Sequence, residues 1–512
     1  MSILKPGTNC MGMYQVDATG LLVDACDYYR AFYRYALKAR RYILLAGWQF
    51  DSEVQLLRGE EAQAAQQAGI EARLLNFLES LCEQTPGLEV YILAWDFSAV
   101  FALEREWFQD VLFDWTTNER MHFRFDSRHA AGATHHQKFV IVDGSLAFVG
   151  GMDICASRWD DRYHLKLNPL RVDGTGKPYG SYHDIQSYHT GSIVQELLHL
   201  FIERWAAAGG GELVLPHAEP SLSIDLPEGI ELPANLVAIS RTRASLSKLE
   251  PGQLFEIRHL FVDAIMAADR LIYLENQYFS SQAIYWSLIS RMTCPDRPPI
   301  QIVMMLPDRL PFTEQLFLGL PQMKMLRSLE QVAQQTGHRF AVYCTACLEN
   351  GERLRTFIHS KLLMVDDRFL SVGSANATNR SMGLDTELNV SWEAPDAETP
   401  LGAAIRDVRA SLLAEHAGLY GQVAEPLFTP VEDLTARLDL MADDPDSRIC
   451  RYAAESSEEN SELLAALEPI ARVVDPEKPV DGEFVFESLT NYETSSFARG
   501  IRRLSQILLV GI

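Results

Sequence analysis

The residues of this chain that are equipped for chemistry come in two matched sets. His136-Gln137-Lys138-Phe139-Val140-Ile141-Val142-Asp143 and His359-Ser360-Lys361-Leu362-Leu363-Met364-Val365-Asp366 both fit H-x-K-x-x-x-x-D. With only 13 His and 45 Lys plus Arg in 512 residues, chance does not account for two such matches in corresponding places. On an extended strand, residues i and i+2 share a face, so His136 projects with Lys138 and His359 with Lys361. Two imidazoles on either side of a tetrahedral phosphorus suit an in-line displacement. One attacks as nucleophile and the other protonates the leaving oxygen. Two ammonium groups neutralise the non-bridging oxygens as charge builds in the transition state. Chemistry of this kind calls for no metal and no cofactor.

The flanks add polar groups. Each motif runs into a small-residue turn, Gly150-Gly151-Met152-Asp153 or Gly373-Ser374-Ala375-Asn376. Gly151, Asp153, Ser374 and Asn376 are therefore candidate phosphate contacts, since glycine lets backbone approach a ligand and the others offer polar side chains. A nucleophilic His also needs a carboxylate on its second nitrogen to fix its tautomer. Within its own copy, each His has one candidate: Asp184 in Tyr182-His183-Asp184 for His136, and Glu387 in Asp385-Thr386-Glu387 for His359. Asp143 and Asp366 complete the catalytic motifs, yet each follows four apolar residues, which points to a structural role at the end of a buried strand.

The elements that must position these residues also occur twice. Ala39–Phe50 and Ala268–Phe279 each read as a helix end followed by an apolar strand. Leu88–Trp95 and Pro299–Leu306 read as buried strands, followed by Met121–Phe125 and Arg339–Cys344 and then by the two motifs. A repeat this long is a duplicated domain, not a solenoid. Helical periodicity marks Tyr28–Arg40, Ile193–Trp205, Phe255–Ala268, Thr313–Gln335 and Leu401–His416. Alternating strands and helices predict an α/β layered fold. The division expected is a first domain over 1–205, a loop-rich linker over 206–250 with Gly209-Gly210-Gly211 and several prolines, a second domain over 251–425, and an acidic extension over 426–512. If the copies pack as a pseudo-dimer, both His-Lys pairs meet in one cleft.

Composition narrows the function classes. The formal net charge is −24, with 47% hydrophobic and 22% charged residues. A non-specific nucleic-acid binder needs a basic surface to displace counterions, and this chain has the opposite balance. A polybasic membrane anchor is disfavoured for the same reason. No apolar run reaches membrane-spanning length, and Met1–Gly20 lacks the pattern of a signal peptide. The 8 cysteines have no framework spacing, which fits a reduced compartment. The expectation is a cytoplasmic or peripheral membrane protein, with export by a signal-independent route left open, and a monomer whose pseudo-dimer is internal.

At this point the residues resemble a known family. Over about residues 15–425 the chain is similar to the phospholipase D superfamily, and most of all to the catalytic core of eukaryotic-type phospholipase D and its bacterial relatives. The resemblance rests on His135-His136-Gln137-Lys138 through Phe148-Val149-Gly150-Gly151-Met152-Asp153 to Arg158-Trp159-Asp160-Asp161. In the second copy it rests on Ile358-His359-Ser360-Lys361 through Gly373-Ser374-Ala375-Asn376 to Asn379-Arg380-Ser381-Met382 and Asp385-Thr386-Glu387, with Tyr273–Phe279 upstream. It implies two duplicated α/β/α sandwich domains about a pseudo-twofold axis, with the active site at their interface. It implies a covalent phosphohistidine, with His136 as nucleophile and His359 as general acid. Asp184 and Glu387 match the family's His-orienting carboxylates, and Arg158 and Trp159 fall in its substrate-binding signature. The expected substrate is a phospholipid at a membrane surface. Water as acceptor releases phosphatidic acid, and a primary alcohol takes the phosphatidyl group instead. The alternatives are a nuclease or cardiolipin synthase-like member of the superfamily and a non-catalytic interaction protein on the same scaffold; acidity weighs against the nuclease and two complete motifs against the last. The lipid-binding modules of many eukaryotic members have no counterpart before the first motif, so loops of the core must reach lipid. The long segment Cys155–Gln186, with its aromatic residues, is the candidate lip.

Overall fold

A computed structural model describes residues 2–95, 118–216, 224–247, 252–310, 312–349, 352–422, 425–452 and 474–480. Two sheets dominate it. The first is eight-stranded, in the order Ile230–Glu231, Thr19–Val23, Ile185–His189, Leu146–Gly150, Phe139–Val142, Tyr42–Gly47, Glu89–Trp95, Met121–Asp126. The second runs Gly12–Gln15, Leu236–Arg243, Glu387–Glu393, Phe369–Gly373, Leu362–Val365, Leu271–Glu275, Gln301–Met305, Arg339–Glu349, Glu352–Arg355, with two short strands off this path. In each, the first strand of a parallel trio lies antiparallel to the motif strand: Tyr42–Gly47 beside Phe139–Val142, and Leu271–Glu275 beside Leu362–Val365. This shared topology is the duplication, drawn in hydrogen bonds.

Burial explains why the central strands are apolar throughout. Tyr42–Gly47, Phe139–Val142, Leu146–Gly150, Leu362–Val365 and Phe369–Gly373 are buried at every residue, as strands covered on both faces must be. The outer face of the first sheet packs on helices Asp24–Ala36 and Leu74–Gln84. That of the second packs on Glu256–Ala267, Gln282–Thr293 and the long helix Phe312–Thr336. The inner faces share one core, in which Phe139, Ile141 and Val149 join Met364, Leu370, Val372 and Val390. Helices Ile193–Trp205 and Pro400–His416 complete that core. The second of these starts where its periodicity and Pro400 predict, with Thr399 Oγ1 accepting from the Gly402 N–H.

The chain crosses its own domain divisions. Gly12–Gln15, from the first copy, pairs with Leu236–Arg243 at the edge of the second sheet. That partner lies in the expected linker and binds Glu387–Glu393 on its other side. The linker also sends Ile230–Glu231 back to Thr19–Val23 of the first sheet. Loop composition is thus only part of the linker's character. In the C-terminal extension, Ile449–Arg451 pairs with Arg339–Glu349 and helix Leu434–Ala442 packs beside it. Most of the acidic residues further on fall in 453–473 and 481–512, outside the described residues. No helix among the described residues is long and apolar enough to cross a membrane.

Candidate active site

The two His-x-Lys runs sit just before their strands, not within them: the strands begin at Phe139 and Leu362. Each run leaves its own sheet to bond to the other copy. The His136 N–H donates to Thr386 O at 2.9 Å, and the Thr386 N–H to Thr134 O at 2.9 Å. Phe357–Ile358 pairs in parallel with Tyr182–His183, and the His359 N–H donates to His183 O at 2.8 Å. These seams place the two motifs together across the interface of the copies.

The seams also decide which carboxylate stands behind which histidine. The residue after Thr386 is Glu387, and it lies behind His136: Nδ1 is 3.0 and 3.2 Å from its two oxygens. The residue after His183 is Asp184, and its Oδ2 lies 2.5 Å from Nδ1 of His359. The pairing expected within each copy is therefore corrected to a crossed pairing, each copy orienting the other's imidazole. Both rings turn Nε2 away from the carboxylate and keep a fraction of surface in the cleft, 16% for His136 and 12% for His359.

The supports of the two dyads differ. Glu387 accepts from Ser374 Oγ at 2.5 Å and Ser381 Oγ at 2.7 Å. Ser374 thus holds the carboxylate and is not a free phosphate contact. At the matching place in the first copy stands Gly151, where a Cβ would lie 2.3 Å from Asp184 Oδ1. Its missing side chain makes room for Asp184, while its N–H is spent on Ile185 O at 3.1 Å, so Gly151 does not serve phosphate either. Lys138 Nζ pairs with Asp153 Oδ2 at 2.7 Å, and both are buried. Lys361 Nζ donates to His359 O and has no carboxylate at ion-pair distance among the described residues. Fifteen residues on, where the first copy has Asp153, the second has Asn376, whose Oδ1 is buried without a hydrogen-bond partner among the described residues.

Electrostatics follow from this crowding. Burial, then Lys138 and Lys361, hold His136 well below the usual imidazole range. Burial, then Lys361, Arg158, Lys138 and His136, do the same to His359. Burial pushes Lys361 down to about 7. It pushes Asp184 up to about 7 against the pull of Lys361, and Glu387 up to about 7 against the Ser374 and Ser381 hydroxyls. The site thus favours neutral imidazoles beside Lys138, Lys361 and Arg158. A bound phosphodiester anion offsets those cations and raises the basicity of both rings.

Other expected residues fall outside the cleft. Asp143 takes a positive φ of 51° and accepts from the N–H groups of Arg40, Arg41 and Tyr42 at 2.8, 2.8 and 3.0 Å. Asp366, at φ 56°, does the same for Asp269, Arg270 and Leu271. Each lies five residues past its lysine, about 17 Å along the strand. They tie the motif strand to its neighbour and are not catalytic. Trp159 is 3% exposed, packed in the first copy's outer core with the Arg58 guanidinium 4.7 Å from its ring, so it does not line the substrate site. Arg158 does reach the cleft region, stacked 4.8 Å from the ring of Tyr182, which itself lies against His359. The candidate lip divides: Tyr182 is buried, while Tyr163, Leu165 and Leu167 are 53%, 48% and 77% exposed.

A buried polar cluster lies beneath His359 that sequence reading missed. Asp24, His164, His183 and Glu415 bring four ligand atoms within 4.8 Å of one another, and His183, Glu275 and His416 form a second group. His183 joins them, its Nδ1 2.7 Å from Glu415 and its Nε2 3.0 Å from Glu275. Both groups have the donor types to hold a metal ion. The carboxylates alternatively hold the rings as imidazolium: His164 is pushed up to about 10, with Asp24, Asp160 and Glu415 outweighing burial. Two protonated rings or one divalent cation meet the same charge requirement. These residues are spread from position 24 to 416, so no local spacing announces them.

The family described as "Phospholipase D" matches residues 36–238, and "Cardiolipin synthase, PLD-like domain" matches 261–406, one in each copy. The chain belongs to the phospholipase D superfamily. Among individual proteins it is similar to phospholipase D alpha 1 of Ricinus communis, 23% identical over 74% of this chain and 62% of that protein. Phospholipase D alpha 1 of Oryza sativa subsp. japonica is 24% identical over 57% of this chain and 49% of its own length. The chain thus spans less than two thirds of these plant proteins. Its fold is similar to that of a phosphatidylserine synthase from Haemophilus influenzae Rd KW20, with a TM-score of 0.51, 12% identity, and coverage of 90% of this chain and 95% of that one.

Proposed function

We propose that this protein is a phospholipase D that cleaves the distal phosphodiester bond of glycerophospholipids through a phosphohistidine. The observation that carries this reading is the crossed pair of His–carboxylate dyads flanked by two buried lysines. Glu387 accepts a hydrogen bond from the Nδ1–H of His136, which keeps the proton on Nδ1 and leaves the Nε2 lone pair facing phosphorus. With the phosphodiester bound, His359 is the imidazolium paired with Asp184; His136 Nε2 attacks, the bond from phosphorus to the head-group oxygen breaks, and that oxygen takes the His359 Nε2 proton. In the second half His359 takes a proton from water, the water oxygen attacks phosphorus, and the phosphorus–nitrogen bond breaks. Phosphatidic acid leaves and both rings return to their starting states. Lys138, Lys361 and Arg158 face the non-bridging oxygens. An alcohol can replace water in the second half, which makes phosphatidyl transfer the second reading of the same site; the phosphatidylserine synthase-like fold favours keeping it in view.

The exposed Tyr163, Leu165 and Leu167 form the surface that meets lipid in this reading. The test is turnover of phosphatidylcholine, phosphatidylethanolamine and phosphatidylglycerol vesicles with ethanol present. Phosphatidic acid together with phosphatidylethanol is the expected result, abolished in His136→Ala and in His359→Ala. Cleavage of oligonucleotides alone, or full turnover in either variant, overturns it.

A further inference from the structure

The acidic C-terminal region is not wholly an appendage. Its segment Val474–Val480 lies against the loop that enters the first motif and against the helix Asn379–Gly383 that follows the second. Asp475 is 7% exposed and 95 residues from the turn it serves. Its Oδ1 accepts the Arg380 N–H at 2.8 Å, and its Oδ2 accepts the Ser280 hydroxyl at 2.6 Å, the Asn379 N–H at 3.2 Å and the Asn379 side-chain amide at 3.1 Å. Val474 O accepts from Arg380 Nη1 at 3.2 Å. Five residues on, the Val480 N–H donates to Ala131 O at 3.0 Å, and its side chain closes over Gly132. Glu477 O lies so near Gly383 that a Cβ there would meet it at 2.5 Å.

What the segment holds leads to the first histidine by two routes. The short helix Asn379–Gly383 carries Ser381, whose hydroxyl is 2.7 Å from Glu387 Oε1, and Glu387 orients His136. Arg380 donates to Gly132 O at 2.8 Å and to both oxygens of Asp385. Asp385 Oδ1 in turn accepts the Thr134 N–H at 2.8 Å, two residues before His136. Four hydrogen bonds accepted by one buried carboxylate are more than a passing surface contact requires.

We propose that Asp475 is a positioning residue for His136: it holds the helix that keeps Ser381 on Glu387, while the Val474–Val480 strap pins the loop entering the first motif. Its effect on turnover rests on the reaction proposed above. Glu387 faces His136 and Lys138 from the first copy and Lys361, Ser374 and Ser381 from the second. Losing the Ser381 hydroxyl removes a group that favours the Glu387 anion, so the acidic limb of the rate profile moves to higher pH.

The test compares Asp475→Ala, Asp475→Asn and Lys478→Ala in the full chain, Lys478 being exposed in the same segment. The readouts are kcat and KM on phosphatidylcholine vesicles across pH, the thermal midpoint, and amide exchange in 131–134 and 379–383. The expected result for Asp475→Ala is kcat lower by about 10- to 100-fold, the size typical when a supporting partner is removed, with KM unchanged. The acid limb shifts upward, and exchange quickens in both stretches. Asp475→Asn falls between, and Lys478→Ala matches wild type. An unchanged profile and exchange in a folded Asp475→Ala overturns the proposal. Should Asp475→Ala unfold, wild-type kcat and acid limb in a folded Asp475→Asn overturn it. Should wild type itself not turn over phospholipid, the reaction fails but the strap is still judged by exchange: faster in Asp475→Ala than in Lys478→Ala upholds it, equal rates sink it.

Discussion

Crossed dyads make a prediction that parallel ones do not. Glu387 orients His136, so Glu387→Gln should damage the attacking nitrogen, while Asp184→Asn should damage the acid, His359. A glutamine can present an oxygen or an amide to Nδ1 but not a negative charge. A charge-assisted hydrogen bond contributes roughly 1.5–3 kcal/mol, so its loss costs about ten- to 150-fold in rate. The loss is larger if the amide N–H turns toward Nδ1, because the ring then carries its proton on Nε2 and has no lone pair for phosphorus. Asp184→Asn should cost a similar factor on natural lipids, through a weaker acid. The two variants separate when the head group is replaced by p-nitrophenol, which departs as a stable anion and needs no proton. In a stopped-flow assay of phosphatidyl-p-nitrophenol with the chromophore read directly, Asp184→Asn should recover most of the wild-type burst. Glu387→Gln should remain slow by its full factor. Rescue of Glu387→Gln and not of Asp184→Asn would refute the assignment of nucleophile and acid, and rescue of neither would remove the case for His359 as acid.

Other outcomes follow from the same geometry. Gly151→Ala puts a methyl 2.3 Å from Asp184 Oδ1, so it should cost about 1–3 kcal/mol by overpacking and nearly all turnover; Gly180→Ala, with no described residue within 4 Å of the added carbon, should do neither, and denaturant titration with kinetics checks both. Exchanging exposed Leu165 and Leu167 for Ser should lower the rate on vesicles about tenfold, as expected for partial loss of two leucines' burial in lipid, and leave the rate on a monomeric short-chain lipid unchanged. Burial raises Glu387 from 4.5 to about 7, so the folded state holds a proton that the unfolded chain releases in that window, and stability falls as pH rises through it. The thermal midpoint of Glu387→Gln should therefore drop less than that of wild type across that range; an equal or steeper drop contradicts the assignment.

The local order of the chain was legible where short-range pattern decides it. The helix over Ile193–Trp205 is found at its expected bounds, and Leu88–Trp95 and Pro299–Leu306 contain strands Glu89–Trp95 and Gln301–Met305. Both depend on apolar periodicity, which the nearest neighbours enforce. The motif histidines and lysines were equally legible, because no structural need calls for that spacing twice. Partners set by the meeting of the two copies were not. Asp184 follows His136 in the same copy, so chain order pairs the two, whereas the backbone bond from His359 to His183 O places it behind the other ring. Ser374 and Gly151 read as phosphate contacts because polar and small residues are shared by ligand loops and by the packing of a buried carboxylate. Asp475 gave no signal at all: one aspartate in an acidic region is distinguished only by what lies opposite it.

The exchange of carboxylates between copies has a genetic consequence. A duplicated gene ordinarily frees its halves to change separately, since each can fall back on its own parts. Here a substitution at Glu387, in one half of the coding sequence, is a lesion in the histidine of the other half. The edge strand Gly12–Gln15, lodged in the second sheet, adds a physical tie to the chemical one. Two inactive alleles with lesions in opposite halves should then complement each other only where paired chains can trade whole halves, and a gene cut at the middle should regain function only when both pieces are made together.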